Sequence, residues 1–239
     1  MTHHRLILLG TGTDVGKTYV GCEIARVWRA RVGPVLGLKP IESGFAEPSE
    51  GDAAALRQAA SFSPLPLYRF EPPVSPHLAA RRAGVVIDPK SVADWVTREE
   101  QAFLGADVEG APSPTLTIIE TAGGVFSPIS ETATNFDLLK DFSALFKRAD
   151  DARTLLIAPD ALGVLHDVQA TLRAMAPERV DLVVLSESRP QDASTGSNAE
   201  ELENLVFKQL GAGAPRHAQV LRLGRAGSGE AVVDWLLAQ

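Results

Sequence analysis

Cysteine is nearly missing from this chain: Cys22 is the single one in 239 residues. One thiol cannot build a disulfide framework within the chain, so the fold must rest on packing, and the composition suits a reducing cytoplasm. Cys22 itself reads as a small buried hydrophobe. Long apolar runs are also lacking. No stretch approaches the roughly 18 residues that a helical membrane span needs. The short apolar stretch after the basic N-terminal residues is too brief for the apolar core of a signal peptide. Positive charge is in deficit, with 23 Lys and Arg against 30 Asp and Glu and a net charge of −7. That balance argues against nucleic acid as a partner. No basic or amphipathic tail offers a means of docking to DNA or a membrane. Repeats and low-complexity tracts are absent. What remains is an ordinary globular composition, 45% hydrophobic and 22% charged, at a length that favours one domain with a large core.

Short apolar runs alternate with helix-like stretches. The runs are Arg5–Leu9, Pro34–Leu38, Leu116–Glu120, Thr154–Ala158, Val180–Leu185 and Gln219–Leu223. The longer ones are almost continuously apolar, as expected of strands covered on both faces. Between them the pattern predicts a helix after residue 18, with Val20, Ile24, Val27 and Trp28 on one face. Further helices are predicted near 52–60, 89–104, 135–148, 164–175, 199–210 and 230–237. Segments 61–77 and 105–114, rich in proline or glycine, read as surface connections. The alternation implies an α/β fold: a single domain with a mostly parallel sheet and helices on both faces.

The first strand runs into Gly10-Thr11-Gly12-Thr13-Asp14-Val15-Gly16-Lys17-Thr18. A glycine-rich loop between strand and helix turns several backbone N–H groups towards one anion, and the helix adds its positive end. Lys17 can reach the outer phosphates and the Thr18 hydroxyl suits magnesium. The residues predict a P-loop, nucleoside-triphosphate-binding site. The loop departs from the common spacing, with Thr11 where that pattern has a glycine.

Two more clusters fall at strand ends. The second strand leads into Lys39-Pro40-Ile41-Glu42-Ser43-Gly44. A lysine at the carboxyl end of a parallel strand faces the ligand crevice, where it can stabilise transferred charge. Asp52 starts a helical pattern, and by position alone an N-cap role outweighs a metal-binding one. The third strand ends in Glu120, followed by Thr121-Ala122-Gly123-Gly124. A carboxylate there supports magnesium directly or through water, and the small turn lets a ligand come close.

Together these segments resemble dethiobiotin synthetase, of the deviant P-loop NTPase superfamily. Gly51-Asp52-Ala53, Ser75-Pro76-His77 and Leu162-Gly163-Val164-Leu165-His166 also match, and the resemblance runs to about residue 175. It implies ATP- and Mg2+-dependent closure of 7,8-diaminopelargonate with CO2 to dethiobiotin, ADP and phosphate, in biotin synthesis. The carbamate oxygen would attack the γ-phosphate, and the second amine would close the ring. By the family's pattern Thr13, Asp14, Val15, Gly16, Lys17 and Thr18 hold the nucleotide. Thr18, Asp52 and Glu120 gather the magnesium. Lys39 holds carbamate and γ-phosphate together, with Lys17 and Asp14 beside the reacting groups. Ser43 and Gly123 contact the substrate, and Gly163 and Val164 receive its distal carboxylate across a homodimer interface. Ser75 is expected to cap a helix with Pro76 at its first position, and His77 to shape the pocket.

The family often has an adenine-reading asparagine after the strand at 180–185. This chain has none there, and Ser186 is the nearest match. A serine makes fewer contacts than an amide, which predicts relaxed base selectivity. The competing class is a dimeric P-loop ATPase switch of the partitioning or division-site type. Such proteins carry a second lysine early in the loop, which residues 10–13 lack.

Overall fold

The computed structural model describes residues 2–45, 51–105, 114–146, 152–217 and 219–239. Six strands form one parallel sheet: β1 (His3–Gly10), β2 (Val35–Leu38), β5 (Thr115–Glu120), β6 (Arg153–Pro159), β7 (Leu182–Ser186) and β8 (Val220–Leu223). Their order across the sheet is β2-β5-β1-β6-β7-β8. β1 is therefore central, with Leu8 opposite Glu120 of β5 and Gly10 opposite Ile157 of β6. All six correspond to the apolar runs, with ends displaced by at most two residues.

Alternation along each strand divides the core into two layers. Leu6 and Leu8 of β1 face α1 (Lys17–Arg31), α2 (Asp52–Ala59) and α9 (Glu230–Leu237), where Val20, Ile24, Trp28, Leu56 and Trp235 meet them. Ile7 and Leu9 face the other way. They pack with α4 (Pro89–Gly105), α5 (Asn135–Leu145) and α6 (Val164–Met175) through Trp95, Phe142 and Leu172. The fold is thus α/β with helices on both faces of a parallel sheet. Cys22 is buried, and burial pushes its thiol up to about 12, so it behaves as a small hydrophobe. No helix among the described residues is long and apolar enough to cross a membrane.

Residues 61–77 are more than a connection. They contain β4 (Tyr68–Phe70), which pairs in parallel with β3 (Ile41–Ser43) as a small second sheet, and they lead into α3 (Pro76–Ala83). Three-residue strands carry too few side chains to show a period. The predicted helix at 199–210 is segmented into α7 (Asn198–Glu201), a π-helical turn at Leu202–Val206 and α8 (Phe207–Leu210). Of the predicted 135–148 helix, residues 147 and 148 lie outside the described residues, as does most of the 105–114 connection.

Candidate nucleotide and phosphoryl-transfer site

The carboxyl ends of β1, β2 and β5 converge on one cleft, because parallel strands deliver all their carboxyl ends to one edge of the sheet. The loop after β1 bends sharply at Asp14, whose φ of 56° is left-handed, and again at Gly16, φ 90°, which is the N-cap of α1. Among the described residues no side chain caps that helix, so its first N–H groups stay available to an anion. Thr13 and Asp14 are exposed and line the cleft. Val15 is buried in the α1-side core and so has only its backbone to offer a ligand.

Lys17 is 6% exposed, and its Nζ donates to Gly12 O at 3.3 Å. Burial, reinforced by Lys39, lowers its ammonium to about 8, against the opposing pull of Glu120, Asp52 and Asp14. Its charge is under-compensated within the fold, as suits a group that receives phosphate.

Lys39 lies in the opposite condition. It is buried just beyond β2, and its Nζ donates to Asp52 Oδ2 at 2.7 Å and Glu120 Oε1 at 2.6 Å. Burial alone would lower its pKa, but Glu120 and Asp52 more than reverse that and hold it above the usual lysine range. Burial pulls Asp52 upward, yet Lys39 keeps its carboxyl below the ordinary range. Thr18 Oγ1 also donates to Glu120 Oε1, at 2.6 Å. The structure therefore brings Thr18, Lys39, Asp52 and Glu120 together from four places in the sequence. Glu120 is fully buried, and its Oε2 has no partner among the described residues.

The N-cap reading of Asp52 gives way to the cluster. Gly51 is the N-cap of α2, without a side-chain cap, and Asp52 is the first helical residue. The N–H of Ala53 is instead satisfied by Glu42 Oε1 at 2.9 Å, while Glu42 Oε2 accepts from Arg69 Nε at 2.8 Å. Glu42 is buried in β3 and thus fixes α2, and with it Asp52. In the sequence it is one more carboxylate in the segment after the second strand, and it goes unread while its backbone partner is unknown.

Two adjoining cavities open here. One, about 260 Å3, is bounded by Thr13 to Thr18, Lys39, Glu120 and Ser188. The other, about 420 Å3, extends past Lys39, Ser43, Gly44, Val74 and Ser75. Thr13, Asp14, Lys39, Asp52 and Gly123 border both. Ser43 Oγ donates to Val74 O at 2.7 Å, which ties β3 to the segment before α3. Ser75 is the N-cap of α3 by position and Pro76 starts the helix, but the Ser75 hydroxyl meets His77 Nδ1 at 3.0 Å and caps nothing.

Three predicted residues lie apart from this cluster. Ser186 is fully buried, and its hydroxyl sits under the phosphate loop, where a Cβ on Gly16 would collide with it. Ser188, two residues on, lines the cleft instead. Gly163 is the left-handed N-cap of α6, and Val164 is packed in the core, so neither borders the two cavities. On the β7 side, Asp160 gathers the following loop. Its carboxylate accepts from Gly196 N, Asn198 Nδ2 and Arg222 Nε at 3.2, 2.8 and 2.9 Å.

A parallel sheet with a glycine-rich loop, a buried loop lysine and strand-end acids defines a P-loop nucleoside-triphosphate-binding protein. A family model described as "AAA domain" matches residues 4–220. The chloroplast FtsY of Physcomitrella patens shares the fold at 14% identity and a TM-score of 0.50, over 99% of this chain and 65% of that one. Sequence relatives are more specific. An ATP-dependent dethiobiotin synthetase BioD of Caulobacter sp. (strain K31) is 36% identical over 194 residues, 77% of this chain and 76% of the relative. The protein of that name from Caulobacter vibrioides (strain NA1000 / CB15N) is 30% identical over 98% and 99% of the two chains. That from Rhodopirellula baltica is 36% identical over 81% and 77%. The chain belongs to the ATP-dependent dethiobiotin synthetase family, and the likeness extends beyond residue 175, where the recognisable motifs end. The ATPase-switch alternative is not favoured.

Proposed function

We propose that this chain closes a cyclic urea on 7,8-diaminopelargonate with CO2 at the cost of ATP, giving dethiobiotin, ADP and phosphate. The observation that supports it best is the position of Lys39. Its ammonium lies where the phosphate cavity meets the larger one, so it can touch both a transferring phosphoryl group and its acceptor.

One substrate amine adds to CO2 and loses a proton, which leaves a carbamate. The carbamate oxygen forms a bond to the γ-phosphorus and the bond to the ADP oxygen breaks. The second amine then attacks the carbamoyl carbon, expels phosphate and loses its proton. Phosphoryl transfer needs little covalent help from protein, so placement and charge carry most of the catalysis. Lys17 and the loop amides hold the β- and γ-phosphates. Lys39 offsets charge on the transferred group and keeps carbamate and phosphate in reach of each other. Asp14 and Gly123 border the junction, and Ser43 with Gly44 lines the acceptor side.

Thr18, Asp52 and Glu120 supply a hydroxyl and two carboxylates, and the buried Oε2 of Glu120, without a partner among the described residues, fits a hard cation such as Mg2+. Bound there, that ion would neutralise charge between the β- and γ-phosphates. Gly163 and Val164, away from the cavities of one chain, fit a role at the substrate carboxylate only if a second copy brings α6 to the site, as a homodimer would. Ser186 would then influence nucleotide binding through its support of the loop.

The test is direct. Purified protein given diaminopelargonate, bicarbonate and Mg·ATP should release phosphate and form the cyclic urea in equal amounts. ATP binding without product under those conditions would sink the proposal.

A further inference from the structure

Asn135 is the first residue of α5, fully buried, and none of the sequence motifs points to it. Its Nδ2 donates to Ala122 O at 2.6 Å and to Gly124 O at 2.8 Å. Both hydrogens of one amide are thus spent on one turn, while Oδ1 has no partner among the described residues. A buried amide half-satisfied in this way is costly, so its two donated bonds are what the position uses.

The turn it grips reaches both cavities through Gly123. Val125 N donates to Gly10 O at 2.9 Å, and Gly124 N to Ser127 Oγ at 2.9 Å. Gly124 comes so close to the phosphate loop that a Cβ on it would lie 3.1 Å from Gly12 Cα. Gly123, at a left-handed φ of 78°, borders both cavities and lies beside Thr13. Asn135 itself is anchored: its N–H donates to Ser127 O at 3.2 Å, and Thr134 and Asp137 form a capping box around it.

We propose that Asn135 is a positioning residue for phosphoryl transfer. Its amide clamps the Ala122–Gly124 backbone against the phosphate loop, so that Gly123 closes the cleft around the terminal phosphate. The assignment rests on the phosphoryl-transfer reading of the site. It reaches the γ-phosphate through the turn and leaves the inner phosphates to the loop and helix α1.

The test measures affinity for ADP and for the β,γ-imido analogue of ATP, both with Mg2+, in the wild type, Asn135→Asp and Asn135→Ser. Asp keeps the shape and loses both donors; Ser keeps one donor at shorter reach. Thermal unfolding accompanies each. With two hydrogen bonds lost, Asn135→Asp is expected to bind ADP within about threefold of wild type and the imido analogue about 30-fold more weakly. Turnover should fall in step with the analogue, and Asn135→Ser should lie between. Equal weakening of both nucleotides, or none of either, would overturn the role and leave Asn135 a packing residue. The ratio is read without the acceptor. A wild type that makes no cyclic urea would therefore defeat the ring-closure proposal and leave the Asn135 test intact.

Discussion

The two sides of the cleft are built on different principles. On the β2–β5 side, charge is buried and shared: hydrogen bonds chain one ammonium, two carboxylates and a hydroxyl together. On the β7–β8 side, the polar groups serve the loop itself. Asp160 collects donors from residues 196, 198 and 222, and Tyr19 OH donates to Gly224 O at 2.7 Å. The first arrangement leaves charge for a ligand. The second consumes its hydrogen-bonding capacity internally, and a base received there, as the proposed reading expects, would meet mostly backbone and exposed side chains. Chemistry is therefore expected to be far more sensitive to substitution on the first side than base recognition is on the second.

The sharpest way to break this contrast is Lys39→Ala. Turnover should fall by about 10^3-fold, the upper part of the range for losing a charge-stabilising donor, with Mg·ATP affinity changed far less. Steady-state kinetics beside calorimetric binding would show the split, and retained turnover would remove Lys39 from the mechanism. Next in size, Glu42→Ala leaves Arg69 without its buried carboxylate and Ala53 N–H without an acceptor. A loss of roughly 3 kcal/mol in stability is expected, with Glu42→Gln milder, measured by denaturant unfolding.

The pH dependence of nucleotide binding gives a tenfold effect. Lys17 is lowered to about 8 by burial, so its ammonium is intact below that pH and lost above it. ADP affinity of the free protein should be highest below pH 8 and weaken by roughly tenfold per unit above it, followed by titration calorimetry. Lys17→Arg should flatten the profile. The smallest effect belongs to the other side. Arg222→Ala removes one of three donors to Asp160, at a partly exposed position, and should weaken nucleotide binding by about two- to fivefold. Measured with several nucleoside triphosphates, the loss should be similar for each. A loss confined to ATP would show that the β8 side reads the base after all.

Much of this was legible in the sequence because it depends on local pattern. Buried parallel strands are apolar runs, and a phosphate loop is a compact motif, so β1, β2, β5, Lys17, Lys39 and Glu120 stood out. The unread parts depend on partners far along the chain. Glu42 acts on the N–H of Ala53, and Asn135 on the carbonyls of a turn more than ten residues earlier; backbone acceptors and donors carry no signature of their own. Ser186 illustrates another limit. Ser186 closes β7 directly beneath the phosphate loop, while Ser188, already past the strand end, lines the cleft; how deep a residue lies under a distant loop leaves no mark in the local pattern. The parallel pair β3–β4 is held by backbone pairing over three residues, too short for periodicity to register.

The Lys39 bridge has one further consequence. Two carboxylates in a cleft would repel each other and draw in stray cations; here a tethered ammonium offsets half of their charge from within the fold. On the proposed reading, a divalent ion entering the cleft would exchange with the tethered ammonium as counter-ion to these carboxylates. Wired this way, the cleft would hold the Lys39 ammonium between its carboxylates and release it only as the metal enters.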